Sequence, residues 1–364
     1  MKSTPINALQ VECVEPPLFL RRQFLADRFL YKVAQLSPHP LLAKLHELSD
    51  LTRSSKYWQI KDIPCILKSY HKFIKINSPV FQCAKNPLFS CLYDVIIFKP
   101  EIILDFGIYK DSPAADRQFN KALAKDWQGW LTMYTDASKL AADGCVGAAV
   151  WIPKYEIILN CKCPSQASIF TGESTALLEA LSYVESHKLN KSIIFSDSKS
   201  CLQAILANQF VSKSKFHNIL KIKEVLYQCH SNNIQVVLAW IPGHSGIQGN
   251  ETVDILAKNA IQTGCLNHYR TYTYDLLPLA TNDMFSSWSN EWNKIKLIKG
   301  KYYADIQISI PKKPWFFNLK RFSKSVTSTI CRLRLGHACT PVHLAKLRIR
   351  DNSICECGLD EELE

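Results

Sequence analysis

The chain has no apolar run near the roughly 18 residues that a membrane-spanning helix needs, so no membrane partner is expected. Its opening, Met1-Lys-Ser-Thr-Pro5, lacks the basic-then-apolar pattern of a secretion signal. An intracellular, non-secreted protein is therefore expected, in the nucleus or the cytoplasm. No run of five or more basic residues marks a nuclear-import segment, and there are no internal repeats or long low-complexity stretches. Cysteine is plentiful, at fourteen residues, but the residues are scattered and show no disulfide framework. Without a signal they read as buried small hydrophobes in a reducing compartment. What remains is a globular composition, 47% apolar and 21% charged, in 364 residues, enough for two or three domains.

The net charge is +12 and unevenly placed. The surplus of Lys and Arg over Asp and Glu is +6 for residues 1–129, +1 for 130–262 and +5 for 263–364. A polyanion would meet attractive flanks around a nearly neutral centre, although surplus charge also serves solubility.

Those three spans also differ in pattern. In residues 1–129 an amphipathic helix with a basic edge is expected over Leu18–Ala34, after Pro16-Pro17, and a second over Leu41–Leu51. Prolines at 64, 79, 87 and 100 interrupt any long element after them, and a short helix ends near Gly129. From Trp130 the period shortens. Strands are expected at Trp130–Thr135, Cys145–Trp151 and Tyr155–Cys161, an antiparallel meander with a turn at Asp143-Gly144. A helix over Phe170–Lys188, a strand at Ser192–Ser196, helices over Lys199–Asn208 and Ser214–Ser231, and a strand at Gln235–Ile241 come next. The loop Pro242–Gly249 leads into a helix over Asn250–Ala260. This order predicts an α/β fold: a mixed five-stranded sheet, antiparallel meander plus parallel strands, covered by helices. Beyond it, helices are expected over Asp283–Ile298 and Ser325–Gly336, and the chain closes on an isolated Cys355-Glu-Cys turn.

Four carboxylates stand out by their places in these elements. Asp136 ends the first strand, Asp197 ends the strand after the first long helix, Glu173 lies in that helix's first turn, and Asp254 lies early in the last. If the two strands are neighbours, both aspartates leave the sheet at one edge. Clustered carboxylates repel one another unless cations are present, and oxygen donors without thiolate select magnesium or manganese. Two such ions about 4 Å apart suit in-line phosphodiester hydrolysis. Taken singly, Glu173 and Asp254 read equally well as early-helix charges, and Asn250 and Ser198 as helix caps.

The stretches Tyr134-Thr-Asp-Ala-Ser138, Gly172-Glu-Ser-Thr-Ala-Leu177, Phe195-Ser-Asp-Ser198 and Ile241-Pro-Gly-His-Ser-Gly through Asn250-Glu-Thr-Val-Asp254 resemble the four motifs of type I ribonuclease H. The resemblance implies a ribonuclease H-like fold over residues 130–262 and endonucleolytic hydrolysis of the RNA strand of RNA–DNA hybrids. It implies Asp136, Glu173, Asp197 and Asp254 as ligands of two Mg2+ ions, which Mn2+ can replace, Asp136 being shared between them. His244 matches the family's mobile histidine, which assists proton transfer and product release. The sequence departs from cellular members at Ser168-Ile-Phe-Thr-Gly172, where no Asn or Gln stands ready to read a 2′-hydroxyl. Ser138 and backbone amides would take over that reading. The basic, tryptophan-rich handle of some bacterial members is also absent, leaving a short linker with Lys213 and Lys215.

The flanks carry a resemblance of their own. Thr4 through Arg22 is similar to the segment after the reverse transcriptase of insect-type non-LTR retrotransposons. Cys331-Arg-Leu-Arg-Leu-Gly-His337 with Cys355-Glu-Cys-Gly358 is similar to the region after their ribonuclease H domain. The Cys-x-Cys then reads as a truncated zinc-knuckle motif, two thiolates making a poor zinc site. Together these imply a retroelement-derived chain, a possible reverse transcriptase in a parent polyprotein, and flanks that bind nucleic acid. Two rival readings keep the fold but not the activity. One is a catalytically idle nucleic-acid-binding remnant, the other a DNA-directed nuclease of the same superfold.

Overall fold

The structure is a computed structural model that describes residues 5–36, 38–76, 80–83, 87–110, 112, 114–140, 144–210, 216–265, 270–319, 322–337 and 340–355. Asp143, Lys213, Lys215 and the Cys-x-Cys turn beyond Cys355, all named above, lie outside the described residues. The chain divides into two compact units: Leu30–Asp62 with Tyr70–Pro278, and Met1–Phe29 with Ile63–Ser69 and Leu279–Glu364. Among the described residues no helix is long and apolar enough to cross a membrane.

The first unit is built on a mixed sheet of six strands, covered by helices. In chain order they are β1 (Ile102–Ile103), β2 (Leu131–Lys139), β3 (Val146–Ile152), β4 (Ile157–Cys163), β5 (Lys191–Ser196) and β6 (Gln235–Trp240). Their order across the sheet is β1-β6-β5-β2-β3-β4. The β2–β3–β4 meander is antiparallel, and β2, β5, β6 and β1 run parallel. The expected fold is present with one strand more than expected. Two residues between Pro100 and Asp105 are too few to show a period, so β1 left no trace in the sequence.

Several strand limits also differ. β2 runs on to Lys139 because residues 134–139 pair with 151–146 of β3. β4 begins at Ile157, since Pro153–Tyr155 forms a 3-10 turn that Glu156 closes with a left-handed φ of 52°. β5 is buried from Ser192 to Ser196, as a central parallel strand with both faces covered should be.

Alternation along the strands feeds two cores. Met133, Val150 and Ile194 face the helices Ile169–Ser186 and His217–Ser231, packing on Leu177, Leu181 and Ile222. Tyr134, Phe195 and Val237 face the other way, onto Phe119, Val253 and Ala257. Gly172 lets the first of these helices lie directly on β2 and β3. A Cβ there would meet Val146 Cγ1 at 2.5 Å and Ala137 Cβ at 2.7 Å.

The second unit draws on both ends of the chain. Ala8 and Val11 of the helix Ile6–Cys13 pack with Trp288, Trp292, Tyr303 and Leu335. At its centre Glu12, 1% exposed, accepts hydrogen bonds from the Tyr303 hydroxyl (2.7 Å), the Trp315 indole N–H (2.6 Å) and Arg334 Nε (2.9 and 3.1 Å). A buried charge needs such partners.

The helix Leu18–Ala34 forms as expected, while the second runs longer, over Pro40–Ser54, with His39 Nδ1 accepting the Leu41 N–H. The expected Asp283–Ile298 helix starts earlier, within Thr273–Ile295, and the basic one spans Lys324–Arg334. Cys161, Cys163, Cys201 and Cys229 are buried, but the other described cysteines are partly or wholly exposed, so burial explains only some of them.

Candidate active site

The parallel pairing of β2 with β5 stops at Thr135 and Ser196, and the next residue on each strand is an aspartate. Asp136 is thus the first residue past that pairing, but it is not the end of its strand as its sequence suggests, because β2 continues along β3. Asp197 follows β5 directly, as expected. Glu173 comes from the helix Ile169–Ser186, in its second turn and not its first, because Ser168 occupies the cap position. Single carboxylate oxygens of Asp136, Glu173 and Asp197 lie within 4.8 Å of one another.

The surroundings make these charges costly. Asp136 and Glu173 are buried, 6% and 5% exposed. Asp136 Oδ1 accepts one backbone N–H, from Ala137 at 2.7 Å. Glu173 Oε2 is buried with no hydrogen-bond partner. Burial first and the Asp197 charge second push the Asp136 carboxyl up to about 7. Glu173 is raised well above the carboxylate range by burial and by both aspartates. Burial also raises Asp197, while His244 and the Asn250 side-chain amide pull it down.

Asp254 is not among the three whose oxygens converge. Its helix, Gln248–Thr263, begins two residues earlier than expected, with Ile247 at the cap position. Asp254 pairs with Lys258 at 2.6 Å, one turn on, and its charge is felt by both Asp136 and Asp197. Its carboxylate lies within 4.8 Å of ligand-type atoms of His244 and Glu251. Glu251 is a residue that the sequence motifs alone did not single out. A signal for it exists: it stands three residues before Asp254 and so one turn away on the same helical face.

His244 is exposed and has a φ of 54°, in the loop between β6 and the Asp254 helix. The preceding Gly243 is pressed against Asp197, where any Cβ would run into the carboxylate. Asn250, expected as a cap, is instead a buried residue inside the helix whose amide serves Asp197. Ser198 does sit at a cap position but makes no side-chain capping bond; its Oγ lies 3.4 Å from that of Ser200. Trp240 is a further residue that sequence did not single out. Its indole N–H donates to the Asp197 carbonyl at 3.0 Å, and Lys199 Nζ lies 4.4 Å from its ring centroid.

An antiparallel meander joined to parallel strands, with an aspartate just past the last paired residue of each of two adjacent parallel strands and a helical glutamate beside them, defines a ribonuclease H-like α/β domain. Residues 128–262 match the family model described as RNase H, so the chain carries a ribonuclease H domain over that span. None of the curated proteins matches the chain.

Proposed function

We propose that this domain cleaves the RNA strand of RNA–DNA hybrids with the help of divalent cations held by Asp136, Glu173 and Asp197, with Asp254 beside them. One observation carries the reading: three carboxylates converge in a buried site where a Glu173 oxygen has no partner. Among the described residues no lysine or arginine forms an ion pair with these three. The donor set therefore fits hard cations, and Mg2+ or Mn2+ suits all-oxygen ligands. Such ions, when bound, lower the pKa of a water and offset charge on the phosphate. The overall reaction adds water across one phosphodiester and leaves a 3′-hydroxyl and a 5′-phosphate.

The chain's own groups have distinct roles. Asp136, fixed within a strand and held by the Ala137 N–H, is the rigid member of the set. Asp197 is steadied from three sides, by Gly243 packed against it, by the Asn250 amide and by Trp240 on its carbonyl. His244, outside the buried cluster and open to solvent, is placed to supply the proton that the leaving 3′-oxygen takes up.

Hybrid selectivity does not rest on the Ser168 and Thr171 hydroxyls. Ser168 Oγ accepts the Thr171 N–H, and the Thr171 hydroxyl donates to Asp275, so both point into the protein. Ser138, half-buried on β2, and Lys199 above Trp240 are better placed to meet substrate. In the wider reading the domain is retroelement-derived, covers residues 130–262 and is flanked by basic segments that grip nucleic acid.

A labelled-strand assay on RNA–DNA hybrid, duplex DNA and duplex RNA, with Mg2+, Mn2+ or chelator, tests this. Divalent-dependent cleavage of hybrid RNA is expected. Cleavage of duplex DNA instead would favour a DNA-directed nuclease, and binding without any cleavage an idle remnant.

A further inference from the structure

The helix that carries Glu173 is held at its start by residues from beyond the matched family span. Asp275, 4% exposed, lies in the first turn of the helix Thr273–Ile295, whose residues as far as Pro278 belong to the same unit as the sheet. Its Oδ1 accepts the Ser168 N–H at 3.0 Å, and both its oxygens accept the Thr171 hydroxyl, at 2.7 and 2.8 Å. A carboxylate there also meets the positive end of the helix dipole.

A second set of bonds grips the other side of Glu173. The Tyr272 hydroxyl donates to Asn218 Oδ1 at 2.7 Å. Asn218 Nδ2 in turn donates to Ser174 Oγ at 3.0 Å and Thr175 Oγ1 at 3.2 Å. Ser174, Thr175 and Asn218 are wholly buried. Two side chains from residues 272–275 therefore fix residues on both sides of the one carboxylate in the cluster that comes from a helix.

A helix is otherwise free to slide or fray at its first turn, whereas β2 and β5 are locked by ladder bonds. Ligand oxygens must be held to fractions of an ångström for a small divalent cation. We propose that Asp275 is a positioning residue that, together with Tyr272 acting through Asn218, sets Glu173 for cation binding, so that the working nuclease unit extends to about residue 278. The proposal rests on the reading of Asp136, Glu173 and Asp197 as cation ligands.

The test uses the full chain and its variants Asp275→Ala and Asp275→Asn, with Mn2+ as the probe ion followed by calorimetry and electron paramagnetic resonance. Amide hydrogen exchange at residues 169–173 is read alongside. Asp275→Ala is expected to weaken Mn2+ binding by about tenfold, the lower end of what outer-shell partners of ligands contribute. It should also speed exchange at residues 169–173 while leaving the amides of β5 protected. Asp275→Asn keeps an acceptor oxygen and is expected to restore both. Should Asp275→Ala unfold, Thr171→Val removes the partner hydroxyl and is expected to move both measurements the same way. Unchanged Mn2+ affinity and unchanged exchange in a folded Asp275→Ala chain would overturn the proposal. If the parent chain binds no Mn2+, the nuclease reading falls; the exchange comparison still decides whether Asp275 fixes the helix.

Discussion

Asp136 and Asp197 each follow the last residue paired between two adjacent parallel strands, Thr135 and Ser196, so the sheet's register brings the two carboxylates together. Their closeness is therefore a property of the backbone ladder, and a substitution that keeps side-chain shape should leave it intact. Asp136→Asn and Asp197→Asn are isosteric and remove one negative charge each. Both variants are expected to lose hybrid cleavage by more than about 10⁴-fold, as losses of essential groups do, while still binding hybrid. Single-turnover cleavage and filter binding on the same preparations check this; undiminished cleavage by either variant would defeat the ligand assignment.

Part of this site is legible in the sequence, where it is written in a strand end. An apolar run stopping at Asp197 can be read without a structure, and β5 is where it says. Glu173, Asp254 and Asn250 are legible as residues but not in their places. Helix starts are not fixed by period alone: Ser168, whose side chain caps its helix, and Ile247, which makes no side-chain capping bond, stand at starts that move each residue deeper into its helix. The Asp275 and Glu12 networks are not legible at all. Each joins residues more than a hundred positions apart, and no local period records such a partner.

The crowding of the cluster sets a pH dependence. The Asp136 carboxyl titrates near 7 in the folded protein, against the ordinary carboxylate range near 4 when unfolded. Between those values the folded chain holds a proton that the unfolded chain has released. Stability from this group is therefore full at the acid end of the window and is lost as pH rises through about 7. Glu173 and Asp197 are raised as well and act in the same direction. The metal-free chain is expected to melt at a lower temperature at about pH 8 than at about pH 5.5. Added Mg2+ should recover the difference at the higher pH, and Asp136→Asn should reduce it. A melting temperature that rises over that range without added ion would contradict the reading.

Gly172 is the close-approach point that puts the Glu173 helix against β2 and β3. Gly172→Ala places a methyl group into Val146 and Ala137, both already buried, so the helix must shift or the strands must part. Overpacking of this kind costs about 1–3 kcal/mol. Urea denaturation should show that loss at unchanged m-value, and Mg2+ should raise the melting temperature less than in the parent chain because Glu173 moves with the helix. Equal stability and an equal Mg2+ response would mean that the contact relaxes without moving Glu173.

His244 differs from the carboxylates in being exposed, on a loop, and outside the buried group of three. A group so placed can assist a proton transfer but cannot hold the buried charges together. His244→Ala should therefore leave Mn2+ binding to the buried carboxylates nearly unchanged and slow cleavage by about a hundredfold, within the range of a single acid–base group. Single-turnover rates at saturating hybrid separate this from a binding effect. A complete loss of cleavage would make His244 indispensable to the chemistry, and no change at all would remove it from the proton path.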